Sequence, residues 1–365
     1  MNILTVAHQT TIILLALIGI GFLIGFHEFG HFIFCKIFNI RTPSFSIGFG
    51  PRLIEKKIGD TNFVLSAIPL GGYVEIAGAQ EVGQGEQKEA RSTDQYSFAR
   101  KPYYQKMLVI AGGILFNLIF AYVTLIVLLA IGIPKTPLLR PYNITNAVQD
   151  VSPETPAAQA GLQAGDIITK IENTPVSDSN MQEFMQVLAQ QAGKPTTFIV
   201  KRADTELPIT TTLRDLASNQ RIFGVDFFLK DIPAQPLTTA ISMGIEVVNT
   251  WIAGTFQGIK GMFVKKSLHG LGGPVGIVSN TLKNVQSDGI QALFIMLCLI
   301  SVGLAVFNII PLPIFDGGQA LFYTLEAITG RSLDSARIYI HYVSWVLVMM
   351  LMIYVTCKDI FNICK

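Results

Sequence analysis

The sequence predicts a multi-pass α-helical membrane protein with four transmembrane helices, a membrane-associated β-region and one soluble α/β domain. Of its 365 residues, 50% are hydrophobic and only 14% are charged, whereas a soluble globular protein carries about 25% charged residues. The mean hydropathy of +0.47 agrees with this and excludes an intrinsically disordered chain. The 27 basic and 25 acidic residues leave a net charge of +2, which is too even for a nucleic-acid-binding surface.

Four apolar runs each reach the roughly 20 residues that cross the hydrocarbon of a bilayer. The first lies within 1–38 and is predicted to be a retained helix, because it lacks the basic start and the cleavage site of a signal peptide. The second and third lie at 107–133 and 290–317, and a loop and the fourth occupy 318–365. An even number of spans places both termini on the same side of the membrane.

Basic residues near the helix ends predict the orientation. The connection at 39–106 carries nine Lys and Arg residues, whereas the first ten residues carry none. Because short cytoplasmic loops are enriched in Lys and Arg, this connection is predicted to be cytoplasmic. The termini and the long segment at 134–289 are then outside.

The segments between the spans have different characters. Within 39–106, short β-type runs predict a small sheet, and a polar stretch at 81–94 predicts a mobile loop. Alternating strands around an amphipathic helix at 180–191 predict a soluble α/β domain at 134–233. The Gly-rich, amphipathic segment at 234–289 is typical of a connection on the membrane surface.

The sharpest chemical signal is the sequence His27-Glu28-Phe29-Gly30-His31 in the first span. Residues four apart lie on one face of a helix, so both imidazoles can reach one metal ion while Glu28 addresses its water. Ionisable residues inside a membrane span are costly and usually functional. The alternative is a hydrogen-bonded polar cluster that joins helices. The pattern favours a zinc site.

Catalytic zinc usually takes three protein ligands, and membrane depth indicates the third. At 1.5 Å per helical residue, His27 lies about 24 Å into its span and Asn308 about 27 Å into the third, which runs in the same direction. Asp316 follows two helix-breaking prolines and can fold back to that level, where its charge and that of Glu28 balance Zn²⁺. His341 is an alternative ligand, and Asp316 can also be explained as a turn residue.

Three motifs together resemble the site-2 protease family of intramembrane zinc metalloproteases. They are HEFGH in the first span, Gly113-x-x-x-Asn117 in the second, and Asn308-x-x-Pro311-x-Pro313-x-x-Asp316-Gly317 in the third. Residues 152–176 resemble a PDZ domain. Segments of the bacterial regulator-of-sigma-E proteases are similar to GFGP at 48–51, PLGGYV at 69–74 and GGPVGI at 272–277. The resemblance covers nearly the whole chain, although the best-known enterobacterial members carry two PDZ domains and this sequence has room for one.

The resemblance implies an intramembrane zinc endopeptidase with one Zn²⁺ per chain, in a bacterial cytoplasmic (inner) membrane with the PDZ-like domain outside. Its partners would be membrane lipid and single-span membrane proteins, such as anti-sigma factors or signal-peptide remnants, cleaved in regulated intramembrane proteolysis. His27, His31 and Asp316 would hold the zinc. Glu28 would take a proton from water and return it to the leaving amine.

Cleavage requires a locally extended substrate, because peptide bonds inside a helix are shielded. Pro311 and Pro313 remove backbone donors and leave carbonyl groups unpaired, and the resemblance implies that Asn308 binds the extended backbone. Gly71 and Gly72 interrupt the predicted sheet, as at a place where another backbone approaches closely. We expect an exposed sheet edge there to pair with the substrate. The alternative is a sheet that only packs on the helices.

Other functions explain less of the sequence. The PDZ-like domain is expected to exclude bulky ectodomains, and the alternative is a groove along 223–227 and the helix at 180–191 that binds a C-terminal carboxylate. A non-catalytic PDZ membrane scaffold does not need Glu28, and a zinc transporter would have polar residues in several spans. A zinc membrane protease of another family would not predict the motif from Asn308 to Asp316.

Overall fold

The computed structural model describes residues 3–79, 87, 89–214, 222–265, 276, 279, 289–331 and 333–363. The chain divides into two compact units. The first, here called the helical unit, comprises Met1–Leu128 and Leu237–Lys365, and the second, the sheet unit, comprises Leu129–Pro236. The helices are α1 (Ile3–Ile37), α2 (Tyr103–Ile131), α3 (Pro156–Gln159), α4 (Met181–Gln190), α5 (Leu237–Lys265), α6 (Ile290–Ile309), α7 (Asp316–Thr329) and α8 (Asp334–Ile363). The strands are β1 (Ser44–Ile58), β2 (Thr61–Glu75), β3 (Ile144–Val151), β4 (Ile167–Ile171), β5 (Thr174–Pro175), β6 (Pro195–Arg202), β7 (Thr205–Thr212) and β8 (Val225–Leu229).

In the part of the chain that the structure describes, four helices are long and apolar enough to cross a membrane. They contain the segments Thr10–Ile37, Tyr103–Ile131, Ile290–Ile309 and Tyr339–Phe361, which match the four predicted apolar runs. Large apolar side chains such as Ile18 on α1 are exposed on these helices. Exposed apolar side chains on long helices are the pattern expected for helices that face lipid.

Helices α1 and α2 approach until their backbones touch. A Cβ atom added at Gly30 would overlap the carbonyl group of Gly112, and one added at Gly112 would lie 2.6 Å from the Gly30 oxygen. Lipid tails are as apolar as leucine, so small residues that permit close backbone contact hold membrane helices together. The glycine of HEFGH therefore has a packing role.

The predicted sheet between the first two spans is present and packs on α1. Strands β1 and β2 pair so that residues 44–47 have partners on both sides, 62–65 on one and 72–75 on the other. Among the described residues, no strand pairs with the outer side of 72–75. The segment 72–75 thus forms an edge. Phenylalanine rings fill the space between α1 and this sheet: Phe29, Phe32, Phe45 and Phe63.

The predicted mobile loop at 81–94 is only partly covered, because 80–86 and 88 lie outside the described residues. Its far end, at 89–94, is described. The Arg41 side chain pairs with Glu89 at 2.7 Å and also with Asp94. These ion pairs connect the far end of the loop to an arginine that precedes β1, and the mobility of the loop remains a prediction.

The region after the third span differs from the prediction. Helix α6 ends at Ile309, and residues 316–329, predicted to begin with the end of the span and a loop, form the separate helix α7. Pro311 and Pro313 remove the backbone donors that would continue α6. Better helix formers follow from Gln319, and Gly330 ends α7 with a φ of 65°.

Only part of the predicted amphipathic connection at 234–289 is described. Residues 237–265 form α5, which packs against α6 and contacts α2 through a hydrogen bond from the Tyr122 hydroxyl to Asn249. The stretch 266–288, including most of GGPVGI, lies outside the described residues apart from Gly276 and Ser279. Its location on the membrane surface remains a prediction.

The sheet unit has the α/β content predicted for 134–233. Its antiparallel sheet has the order β7-β6-β4-β3-β8, with β5 paired to β4, so β8 is an edge strand among the described residues. Helix α4 lies over the sheet, and Phe184 and Phe198 are completely buried in the core between them. Apolar side chains from every layer complete this core, including Val148, Ile168, Ile171, Leu188 and Phe227.

Candidate metal centre

The two histidines of HEFGH lie one turn apart on α1 and face the same point. Their Nε2 atoms are 3.2 Å apart, and each side chain is about nine-tenths buried. A helix brings residues i and i+4 to one face, so the local sequence alone produces this pair.

Asp316 completes a cluster of three. Its Oδ2 atom lies 3.4 Å from His27 Nε2 and 3.6 Å from His31 Nε2. This oxygen is buried and accepts no hydrogen bond from the described residues. The structure thus brings together the three ligands that the sequence predicted. His341, the alternative ligand, is not part of this group among the described residues.

The chain reaches this position through a tight return between α6 and α7. A Cβ atom on Gly317 would overlap the carbonyl group of Ile309, and one on Gly318 would overlap that of Leu312. The two glycines after Asp316 are therefore required for the return itself. This packing explains why the aspartate is followed by glycines and places its carboxylate at the depth of the histidines.

The spacing of the three atoms fits zinc. Ligand atoms about 2.0–2.2 Å from a tetrahedral zinc ion are about 3.4 Å apart, and the three separations here are 3.2, 3.4 and 3.6 Å. The donor set of two imidazoles and one carboxylate is also a zinc set. His27, His31 and Asp316 can thus hold the ion and leave a fourth position for water or substrate.

Helix α2 contributes the surroundings of the histidines. The His31 Nδ1–H group donates to the backbone carbonyl oxygen of Val109 at 2.8 Å, and the Asn117 amide lies 3.1 Å from His27 Nδ1. A Cβ atom on Gly113 would lie only 2.5 Å from His31 Nε2 and 2.7 Å from His27 Nδ1. Gly113 and Asn117 belong to a predicted motif, but no role was predicted for either residue. The sequence feature that could have indicated a role is the polar amide of Asn117 within an apolar run.

Glu28 and the predicted substrate-binding glycines lie close together. Glu28 is half-buried, and its Cγ atom is 3.6 Å from the place where a Cβ atom of residue 72 would lie. Gly72 thus brings the edge of the sheet against the proposed catalytic base. Gly71 has a φ of 136°, and the Phe49 ring occupies the space that a side chain would need. The backbone conformation and the packing therefore require a glycine at this position.

The remaining predicted residues line the return between α6 and α7. Asn308 is half-buried in the last turn of α6, Pro311 is exposed and Pro313 is half-buried. They lie within eight residues of Asp316 along the chain. Their contact with a substrate remains a prediction.

The sheet unit has an apolar cleft at the predicted groove. Its volume is about 430 Å³, and it lies between α4 and the edge strand β8. The lining includes Met185, Leu188, Phe223 and Phe227, with Arg140 and Asp226 as its charged residues.

Comparison with known proteins identifies the family. Residues 15–352 match Peptidase family M50. A Clostridium acetobutylicum protein named "Putative zinc metalloprotease CA_C1796" is 27% identical over 350 residues, which cover 95% of this chain and 97% of the relative. "Zinc metalloprotease RasP" of Geobacillus kaustophilus is 26% identical over 416 residues, which cover 93% of this chain and 95% of the relative.

Among solved structures, the PDZ domain of the SdrC-like protein from Listeria monocytogenes is 24% identical and covers 22% of this chain and 84% of that chain. Its TM-score of 0.20 is too low to identify a fold. The family match spans most of the sequence, and the relatives named as zinc metalloproteases align over nearly their whole length. The chain belongs to peptidase family M50, the site-2 protease family.

Proposed function

We propose that this protein is an intramembrane zinc endopeptidase that cleaves the transmembrane segments of single-span membrane proteins. The observation that carries the proposal is the cluster of His27, His31 and Asp316, whose ligand atoms lie 3.2–3.6 Å apart. Two of these residues lie in a helix long and apolar enough to cross a membrane. A metal site in such a helix would lie at the level of a transmembrane substrate, which supports the proposal.

Each residue of the proposed site has a separate role. His27, His31 and Asp316 hold the ion, and zinc bound there polarises the scissile carbonyl group and makes a water molecule more acidic. Glu28 takes the proton from the attacking water and delivers it to the leaving amine. With neutral imidazoles, the charges of Asp316 and Glu28 balance those of Zn²⁺, which suits a poorly solvated site.

The substrate is held in an extended form beside Glu28. The segment 72–75 has a free edge among the described residues, and Gly72 lies against Glu28. Pairing with this edge would replace the hydrogen bonds that the substrate helix loses when it unwinds. Asn308 and the carbonyl groups near Pro311 and Pro313 are proposed to bind the other side of the extended segment.

The proposed setting is a bacterial cytoplasmic membrane, with both termini and the PDZ-like domain outside and the connection at 39–106 in the cytoplasm. This orientation rests on the nine basic residues of that connection. The PDZ-like domain is proposed to exclude substrates that still carry bulky ectodomains. Recognition of a substrate C-terminus in the cleft between α4 and β8 is the second candidate, and the apolar lining of that cleft suits the apolar side chain of such a terminus.

The test compares wild-type protein with Glu28→Gln, which preserves the size of the side chain and removes its basicity. We expect full-length Glu28→Gln to retain one zinc per chain and to lose cleavage of a single-span peptide by about 10²–10⁴-fold. His31→Ala is the matched control and should lose zinc as well. Single-span peptides that accumulate uncut in cells carrying Glu28→Gln would identify substrates. Unchanged cleavage by Glu28→Gln would refute the proposal.

A further inference from the structure

Asn117 is a completely buried amide in the middle of α2. One end of the amide lies 3.1 Å from His27 Nδ1, and the other end, assigned as Oδ1, has no hydrogen-bond partner among the described residues. A buried acceptor without a donor is uncommon and costly. Because the far end of the amide is unpaired in either orientation within the described part of the chain, the contact with His27 determines which orientation the amide takes.

The orientation of this amide decides which nitrogen of His27 binds metal. If the Asn117 NH₂ group donates to Nδ1, the ring proton resides on Nε2, and Nε2 has no lone pair for a metal. Yet Nε2 is the atom that faces His31 and Asp316, at 3.2 and 3.4 Å. The oxygen and nitrogen of an amide have nearly the same shape, so a half-turn exchanges them without moving other atoms.

His31 shows the arrangement that a metal ligand needs. Its Nδ1 lies 2.8 Å from the backbone carbonyl oxygen of Val109, and a carbonyl oxygen can only accept. The proton of His31 is therefore on Nδ1, and Nε2 carries the lone pair that can bind a metal. Histidine ligands of metals commonly donate their second N–H to such an acceptor, which sets the tautomer and the ring orientation.

We propose that Asn117 is the positioning residue of His27, with its Oδ1 accepting a hydrogen bond from His27 Nδ1–H. This inference rests on the proposed zinc site. Ser301 on α6 supports the arrangement, because its completely buried hydroxyl donates to the Asn117 backbone oxygen at 2.8 Å. Helix α6 thereby fixes the part of α2 that carries the amide. Helix α2 also packs against the His27 ring at Gly113, so loss of Asn117 should weaken zinc binding without abolishing it.

The test measures zinc affinity of the full-length protein by competition with a chelator. Asn117→Leu, which has a similar shape and no polar atoms, should weaken zinc binding about 10–100-fold. Asn117→Asp retains an acceptor oxygen and should stay within a few-fold of wild type. The visible spectrum of the Co²⁺-loaded protein, which reports ligand geometry, should change in Asn117→Leu and stay like wild type in Asn117→Asp.

The matched control is Asn143 in the sheet unit. It is also completely buried and also has an Oδ1 atom without a partner among the described residues. Asn143→Leu should lower thermal stability and leave zinc affinity unchanged, which separates positioning from general packing. Unchanged affinity in Asn117→Leu would overturn the inference.

The outcome for Asn117→Asp tests the orientation itself. Binding as weak as in Asn117→Leu, in a protein that still unfolds cooperatively, would mean that the NH₂ group is the part required and would overturn the inference. If Asn117→Asp fails to fold, the Asn117→Leu affinity and Co²⁺ spectrum decide. Retention of zinc by His31→Ala would instead refute the proposed site, so the two failures are distinguishable.

Discussion

The two units of this protein place their polar and apolar residues in opposite ways. The sheet unit buries Phe184 and Phe198 in an apolar core. The helical unit exposes large apolar residues and buries His27, His31 and Asn117. In the sheet unit the hydrophobic effect drives burial. In a membrane that driving force between helices is lost, and close glycine contacts and polar bonds hold helices together. Substitutions at the centre of the helical unit should therefore impair function more than they impair folding.

The largest effect is expected at Gly113. A methyl group there would overlap both imidazoles, so Gly113→Ala should weaken zinc binding at least about 100-fold, beyond the effect of losing an orienting bond, and should abolish cleavage. The matched control is Gly303→Ala on α6, where no atom of another described element lies within 4 Å of the added methyl group. Chelator competition on both variants measures the difference. Normal zinc affinity in Gly113→Ala would mean that α2 does not form the wall of the site.

Deletion of the PDZ-like domain tests whether the helical unit catalyses cleavage without it. If the domain excludes bulky substrates, deletion of 144–230 with the flanks rejoined should leave cleavage of a short single-span peptide within a few-fold of wild type. It should also permit cleavage of substrates that retain their ectodomains. Loss of all cleavage with zinc still bound would favour recognition of the substrate instead.

A companion variant addresses the cleft. Met185 lines it and is 38% exposed, so Met185→Glu should repel a C-terminal carboxylate without disturbing the core. Exclusion by bulk predicts no change in cleavage.

The edge at 72–75 should matter most for stable substrate helices. Successive residues of a strand point their N–H groups to opposite sides, so Tyr73→Pro and Val74→Pro disrupt different edges. One of the two variants should remove a donor from the free edge. In that variant, cleavage of a stable transmembrane helix should fall about tenfold more than cleavage of the same helix with Gly or Asn breaks. Equal loss with both substrates indicates damaged folding. Intact cleavage in both variants would refute strand pairing.

The smallest effect concerns acid stability of the sheet unit. Asp166 is almost completely buried, and it accepts hydrogen bonds from Arg202 Nε and Nη2 at 2.8 Å each. Burial alone would raise the pKa of Asp166, but the bonds from Arg202 and from the Gln163 N–H outweigh it and lower that pKa below its ordinary value. A carboxylate with a lowered folded-state pKa stabilises the fold above its unfolded pKa of about 3.9.

This stabilisation should disappear as the pH falls below about 3.9 and through the lowered pKa of the folded state. Calorimetry of the full chain should show the sheet unit's melting temperature falling by several degrees between pH 6 and pH 3. Asp166→Asn should melt lower at pH 6 and show a smaller fall. An equal fall in both proteins would assign the acid sensitivity to other groups.

Local sequence patterns predicted the spans and much of the candidate site. The helical spacing of His27 and His31 predicted their common face, and depth within the spans predicted Asp316 as their neighbour. The contacts around them join residues 78 and 90 positions apart, His31 with Val109 and His27 with Asn117. Periodicity and hydropathy describe single segments, so they do not predict such pairs.

Contacts between distant residues also account for the differences between the predicted and the observed structure. Helix α7 was predicted as the end of a span and a loop, because prolines and glycines dominate its start. The glycines in fact permit contact with carbonyl groups of 309–312. The two-sided pairing of 44–47 depends on residues up to 31 positions away, which strand propensity does not register.

The most direct test of the central claim is the zinc content of full-length protein in which the third ligand is changed. Wild type should hold one zinc per chain. Asp316→Asn, which keeps the size of the side chain and removes its charge, should lose most of the zinc together with cleavage, whereas His341→Asn should retain both. One zinc per chain in Asp316→Asn, or its loss in His341→Asn, would contradict a metal site built by His27, His31 and Asp316.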